Sequence, residues 1–314
     1  SEMCIRDRGT LLPKGSIYHR TLQEMGEQWR HVQGEKSRFI IYTDGSQGGE
    51  ADVVRRMRIG QLNAAVLSVV GLSEIDSTVT ALQFIPMAFQ NWREVDYVRE
   101  RLRQKLEQRM RAKGFVVLFW VEGGWVHFFS KEAAVTPEDF KGRKVFVWAG
   151  DTQQVGIMKS LGYQPVVLET NDILPGLQSG LISVVAVPPV YALAGQIDRP
   201  ASYMLDVRWV PIVGATVISE KAWKTMNPDA RDALKDAAEQ AGRKLRKRRQ
   251  ALEDAAIAAM QKRGLKVQTP TSQQTEEWQI LAESVYPKIR GSRIPADIFD
   301  QVMELFSEYK EGTK

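Results

Sequence analysis

The sequence has a single cysteine, Cys4, which excludes an intramolecular disulfide. Its three histidines, His19, His31 and His127, lie far apart, and none sits in a ligand-spaced motif. One cysteine and three scattered histidines leave little material for a structural zinc site. No run of about 18 consecutive apolar residues occurs, so no segment reads as a membrane-spanning α-helix. The nucleophile elbow G-x-S-x-G, the zinc motif H-E-x-x-H and the phosphate loop G-x-x-x-x-G-K-[ST] are all missing. So are internal repeats, low-complexity tracts and Pro/Ser-rich linkers. The excess of positive charge is small, +5 from 43 Lys+Arg against 38 Asp+Glu, and does not by itself point to nucleic acid. What remains is ordinary globular material: 314 residues, 43% hydrophobic and 26% charged, a length for about two domains.

Residues 1–8, Ser-Glu-Met-Cys-Ile-Arg-Asp-Arg, differ from the rest. They lack the apolar stretch of a signal peptide, and Cys4 lacks the small and apolar residues that precede a lipoprotein cleavage site. The segment resembles a translated sequencing adapter. It is expected to be non-native, with the native N-terminus and signal peptide missing, so its composition says nothing about location. With Cys4 set aside no cysteine is left, which is compatible with an oxidising compartment.

Helical and strand patterns alternate along the whole chain, the mark of an α/β protein. Leu22, Met25 and Trp29, spaced three and four apart, predict an amphipathic helix over 18–32, closed by Gly34. Short apolar runs predict strands at 38–42, 64–70, 115–121, 125–129, 145–148, 165–168, 182–187 and within 207–218. A long charged helix is expected over 92–113. Thr136-Pro-Glu-Asp139 carries the cap, proline and acids of a helix start. Asn227-Pro228 opens a helix expected to run to about residue 263, where Gly264 ends it. Such a helix is roughly 50 Å long, more than a small domain is wide, and suits a brace between two lobes. Two further helices are expected, over 272–289 and 295–309. Two lobes without a linker imply that the chain crosses between them more than once, near residues 124 and 212 and along the long helix. The expected division is residues 9–124 plus about 212–245 for the first lobe and 125–211 plus about 246–314 for the second.

Functional candidates are sparse. Asp44-Gly-Ser-Gln-Gly-Gly-Glu50 is glycine-rich before a helix but lacks the Lys-Ser/Thr of a phosphate loop, so it reads as a turn and helix start. The basic clusters at 55–58 and 243–249 are surrounded by acids and not interleaved with aromatics, so each reads as a solvated face rather than a nucleic-acid stripe. The second could also meet an anionic membrane or a partner protein. Trp120, Trp125, Phe146 and Trp148 fall at strand ends near the lobe junction and are either core or the lining of a cleft. No nucleophile–base pair is visible, so an enzyme is not expected.

Several landmarks occur in a fixed order. They are Gly15-Ser-Ile-Tyr-His19, Gly45-Ser-Gln-Gly-Gly-Glu50 followed by Met57-Arg-Ile-Gly-Gln-Leu-Asn-Ala-Ala65, Pro137-Glu-Asp-Phe-Lys-Gly-Arg-Lys-Val145, the stretch from Asn171 to Ile182, and the long helix from Pro228. In this order the chain resembles the DctP-type solute-binding proteins of tripartite ATP-independent periplasmic (TRAP) transporters, from Gly15 to about residue 310. The resemblance implies a two-lobe periplasmic-binding-protein-like α/β fold with a central cleft and a long bracing helix. It implies hinge closure around a small organic solute, delivery to TRAP membrane permease subunits, a periplasmic location and no cofactor, metal or nucleic acid. It also implies a carboxylate clamp of two arginines and an asparagine. At those positions this sequence has Phe146, Val126 and Val187, so the resemblance points to a hydrophobic cleft and an apolar or amphipathic ligand. A branch of the family with such clefts pairs with a tetratricopeptide-repeat protein. The candidate ligand residues are Tyr18, His19, Glu50, Trp125, Val126, Phe146, Trp148, Asp151, Gln153 and Val187. The alternative is an organic acid held through relocated polar contacts, for which Tyr18, Glu50, Glu122, Asp151 and Gln153 are available.

Overall fold

The computed structural model describes residues 4–9, 15–34, 38–42, 48–149 and 151–312. Strand β1 (Cys4–Gly9), most of the adapter-like segment, pairs in parallel with β2 (Arg38–Tyr42) and β3 (Ala64–Ser68). Helix α1 (Ile17–Gln33) starts where Ser16 Oγ accepts a hydrogen bond from His19 N at 3.2 Å. It buries Leu22, Met25 and Trp29 on one stripe, and Gly34 closes it with a φ of +108°. Helix α2 (Glu50–Arg58) leads into β3, and α3 (Val69–Ser73) follows that strand without a break. Helix α4 (Trp92–Ala112) is capped by Asn91, whose side chain accepts from the amides of Arg93 and Glu94 at 3.0 and 3.1 Å. Strand β4 (Phe115–Trp125) then carries the chain out of the first lobe.

The second lobe begins with β5 (His127–Ser130). The Thr136 start forms a true capping box, but it opens a single 3-10 turn, Pro137–Phe140, rather than a longer helix. Strand β6 (Lys144–Trp148), helix α5 (Thr152–Ser160) and β7 (Gln164–Leu168) follow. Next come α6 (Ile173–Ser179), β8 (Val184–Val187), α7 (Pro189–Ala194) and β9 (Tyr203–Leu205). Strand β10 (Pro211–Ser219) returns to the first lobe, antiparallel between β3 and β4. At Gly214 a Cβ would sit 2.5 Å from the Leu67 carbonyl oxygen, so only glycine fits this strand contact. After α8 (Glu220–Thr225) comes α9 (Pro228–Gln261), then β11 (Lys266–Gln268), α10 (Ser272–Ile289) and α11 (Ala296–Gly312). The two sheets have the orders β2-β1-β3-β10-β4 and β11-β9-β5-β8-β6-β7.

Helix α9 has 34 residues. Its N-terminal half buries Leu234, Ala238, Ala241 and Leu245 in one core with Tyr18, Trp29 and Phe119. Its Met260 lies in the core of the second sheet with Phe129 and Phe146. Burying one large apolar side chain is worth about 1.5–3 kcal/mol, so apolar contacts hold this helix to both lobes.

The packing corrects one boundary. The division read from the sequence places everything after about residue 246 in the second lobe. Instead Val285, Ile289, Ile294, Ile298, Val302 and Phe306 join the first-lobe core with Val98, Leu102 and Trp125. Helix α10 starts in the second lobe, where Trp278 packs on Phe140 and Val145, and ends in the first. An amphipathic helix shows which face is buried but not which neighbour buries it.

Candidate functional site

The junction between the lobes is framed by strand ends. In the first lobe β3 ends at Ser68, β4 ends at Trp125 and β10 begins at Pro211. In the second, β6 and β8 run parallel with Val145 beside Val184, which carries Trp148 to the side of Val187. Val187 in turn pairs with His127 on β5. The carboxyl ends of parallel strands, where the chain changes sheets, are the usual ligand position in open α/β sheets. The stretches that follow β1 and β2, residues 10–14 and 43–47, lie outside the described residues.

Charged side chains are buried at the crossover. Arg249 of α9 grips Asp96 through two hydrogen bonds, 3.0 and 2.6 Å, and Glu122 at 3.1 Å. Its guanidinium lies 4.5 Å from the centroid of the Trp92 ring. Arg99 of α4 pairs with the other Glu122 oxygen and with Asp96 and Glu100 at 2.9 and 3.0 Å. One turn along α9, Glu253 accepts from Trp125 N at 3.1 Å and holds His127 Nε2 at 3.2 Å. His127 Nδ1 is buried without a hydrogen-bond partner, 3.6 Å from Asp206 Oδ1. Gly124, with φ +110°, leaves room for this crossing: a Cβ there would lie 3.1 Å from Pro188 and 3.4 Å from Glu253. Glu253 therefore ties the long helix to both lobes.

Burial raises the Asp96 carboxyl, but Arg249 and Arg99 outweigh it and hold Asp96 below its ordinary value. A carboxyl depressed in the folded state binds its proton less readily there than in the unfolded chain. Its contribution to stability is complete above about pH 4 and is lost as pH falls through the lower folded value. Asp96→Asn is expected to flatten the acid limb of stability. Thermal melts of both proteins from about pH 5 to about pH 2 check this, and parallel acid limbs would count against it.

The ten candidate residues fall into separate groups. Tyr18 and Trp125 reach the crossover: the Tyr18 hydroxyl donates to the Glu122 carbonyl oxygen at 3.0 Å. Burial raises the Tyr18 hydroxyl above its ordinary value, with Glu122 and Glu253 adding to it. Trp125 is fully buried, 4.6 Å from the Trp92 ring, and the next residue, Val126, is buried with its amide on the Val210 carbonyl. Phe146, Val187 and Trp148 form a second group with Tyr191. The Phe146–Trp148 and Trp148–Tyr191 centroids are 4.7 and 5.9 Å apart, both edge to face. Burial pushes the Tyr191 hydroxyl up to about 12.

Asp151 and Gln153 form a third group at the start of α5, beside Ser292 and Arg293. Glu50 stands apart, accepting from Ser68 N, Ser68 Oγ and Gly71 N at 2.6, 2.5 and 2.9 Å. Burial pushes its carboxyl up despite these bonds. It pins the turn from β3 to α3. His19 Nδ1 accepts from Gly15 N at 3.0 Å, a contact that shapes the start of α1. A concavity of about 570 Å³ lies at the opposite end of the first sheet, lined by Asn63, Lys113, Phe115 and Ser219, and no candidate residue lines it.

The comparisons with known proteins bear on this two-lobe arrangement. A family profile described as bacterial extracellular solute-binding protein, family 7 (DctP), matches residues 9–292. The chain belongs to the DctP family. Among curated relatives of this DctP chain is the uncharacterized protein YiiZ of Salmonella typhimurium, 25% identical over 51% of the chain and 50% of that protein. The chain thus spans about half the length of that relative. A TRAP periplasmic solute-binding protein from Xanthobacter autotrophicus Py2, solved with bound β-D-galacturonate, has a TM-score of 0.85 at 18% identity, over 96% of this chain and 98% of that one. DctP7 of Bordetella pertussis, an extracytoplasmic solute receptor solved with pyroglutamic acid, has a TM-score of 0.86 at 15% identity, over 96% and 98%. DctP proteins are binding receptors, not enzymes.

Within this DctP fold the three positions that the sequence resemblance matches to a carboxylate clamp are buried. Phe146, Val187 and Val126 are 4%, 2% and 5% exposed. The first two belong to the second-lobe core with Ile173, Leu177 and Val185. The solvated-face reading of 243–249 needs correction at one end: Arg243, Lys244, Lys247 and Arg248 are exposed, but Arg249 is buried in the crossover network. Arg249, Glu253 and Arg99 were all detectable. Each is a charge on the apolar stripe of its helix. Among the described residues no helix is long and apolar enough to cross a membrane.

Proposed function

We propose that this chain is the extracytoplasmic solute-binding subunit of a TRAP transporter. It captures a small organic solute between its lobes and hands it to membrane permease subunits. The observation that carries the ligand class is that Phe146, Val126 and Val187, all apolar, stand at the positions the family resemblance matches to two arginines and an asparagine of a carboxylate clamp. Arg99 and Arg249 offer no substitute, since both are neutralised by Glu122 and Asp96. A carboxylate taken out of water without a cation costs several kcal/mol. The reading is therefore a solute with an apolar face laid on the Trp148–Tyr191 rim. A periplasmic location follows from the same role. The tetratricopeptide-repeat partner rests on the sequence resemblance alone.

A second reading is an organic acid held by relocated polar contacts. It is favoured by the ligands of the similar structures, galacturonate and pyroglutamic acid, which are both acids and lend the apolar solute no support. Thermal-shift titration separates the two. The panel is D-galacturonate, pyroglutamate and a set of neutral aromatic and branched-chain solutes. A ligand at about 100 times its dissociation constant adds roughly 2.7 kcal/mol of stability. The first reading expects a saturating shift with a neutral solute and none with the acids. A saturating, micromolar response to either acid overturns it in favour of the second.

A further inference from the structure

Arg293 lies on the turn between α10 and α11. That turn belongs to the first lobe, since Ile289 and Ile294 on either side are buried in its core. The Arg293 guanidinium lies over the Phe84 ring, 3.7 Å from its centroid, and Phe84 packs on the same core. Its hydrogen bonds go to the other lobe. Nη2 donates to Asp151 Oδ2 at 2.7 Å and Nη1 donates to Gln154 Oε1 at 2.9 Å. Asp151 is also the N-cap of α5, with Oδ1 accepting from Gln154 N at 3.1 Å. Arg293 is only 8% exposed.

We infer that Arg293 is a positioning residue for solute capture, a latch that fastens the α5 end of the second lobe to the first when the lobes are closed. This rests on the two-lobe capture reading. A planar guanidinium can do this because it offers its face to a ring and its edge to a carboxylate and an amide at once. Whichever lobe keeps Arg293 on opening, either the Phe84 contact or the Asp151 and Gln154 bonds must break. The latch also sits close to the rim. Asp151 N donates to the Trp148 carbonyl oxygen at 3.1 Å, so α5 begins where the Phe146–Trp148–Tyr191 wall ends. Neighbouring contacts close the same seam: Ile157 and Leu161 of α5 pack on the first-lobe core, and Lys288 Nζ donates to Ser160 Oγ at 2.8 Å. A contact made only in the closed state raises the closed fraction before any ligand arrives. Its loss lowers apparent affinity by the factor by which that fraction falls.

The test is the distance distribution between spin labels on the two lobes, at Lys113→Cys and Leu181→Cys in a Cys4→Ser background. Both labelled positions are exposed. The full chain is measured alone and with each solute of the thermal-shift panel. Arg293→Gln removes the charge from one side. Asp151→Asn removes it from the other and keeps an N-cap acceptor, so a folding failure in either variant leaves the second to decide. Each is expected to shift the closed-to-open ratio toward open by about tenfold or more. The double variant is expected to go no further than the singles, and Arg293→Lys is expected to be intermediate. A merely structural role would lower the unfolding midpoint and leave the distances alone. Two populations whose ratio is the same in parent and variants would overturn the latch and leave solute capture standing. One invariant population in every protein and with every solute would overturn both.

Discussion

Glu122→Ala is expected to lower the unfolding free energy by about 3–5 kcal/mol, the range for removing one partner from a buried ion pair. Glu122 is 2% exposed and faces two guanidiniums, one from α4 and one from α9. Its loss leaves Arg99 and Arg249 with the half-exposed Asp96 as their shared carboxylate. Glu122→Gln keeps the size and one acceptor oxygen but not the charge, and turns its Nε2 donors toward one of the two guanidiniums, so it should recover only part of that loss. For a protein of this size the alanine change corresponds to a drop in melting temperature of roughly 5–8 °C. Denaturant unfolding of Glu122→Ala, Arg249→Met and the double variant measures the coupling. The double should be less damaging than the sum of the singles, because the remaining arginine is no longer over-supplied with carboxylate, nor the remaining carboxylate with arginine. A loss below about 1 kcal/mol would put the network in the class of solvated surface pairs and remove it as a brace.

That network shows what the sequence made legible. The apolar stripe of α4 reads Val95, Val98, Leu102, Leu106 and Met110, and Arg99 falls on it, four residues after Val95 and three before Leu102. The stripe of α9 reads Leu234, Ala238, Ala241, Leu245, Ala256 and Met260, with Arg249 and Glu253 filling the gap at helical spacing. A charge on a core-facing stripe must find a buried partner, because an unpaired one is too costly. The same pattern that located both helices therefore marked the residues at the crossover. The cluster at 243–249 hid this because its other exposed members drew it toward a single solvated face.

The identity of the partners was not legible. Asp96, Glu122 and Arg249 are separated by 26 and 127 residues of chain, and nothing local encodes their meeting. The C-terminal boundary failed for the same reason. The stripes of α10 and α11 were readable, but the first-lobe core they join, with α11 packed on α4, is a tertiary choice. Glu50 and His19 are the polar residues that end two of the sequence landmarks. Their local bonds to Ser68 and Gly15 show that such residues as often shape a turn as face a ligand.

Phe146→Arg is the second change with a large expected effect. Phe146 sits on β6 with Val185, Val187, Ile173 and Leu177 around it, and its ring meets Trp148 edge to face. An arginine there must either bury a cation in an apolar cluster or carry its head past Trp148 toward the lobe junction. The first outcome should cost more than about 3 kcal/mol of stability. Phe146→Leu, which keeps the site apolar, should cost less than about 1.5 kcal/mol. The second outcome has its own signature: a variant near parental stability that now gains a saturating thermal shift from D-galacturonate. That result would place position 146 on the ligand chamber and make its side chain the switch between apolar and acidic solutes. A destabilised variant with no response to either acid would instead keep Phe146 as core. It would move the search for ligand contacts outward, to Trp148 on the same strand and to Tyr191 on α7. Stability reports whether position 146 is core and ligand response whether it faces the solute, and the single substitution reads both.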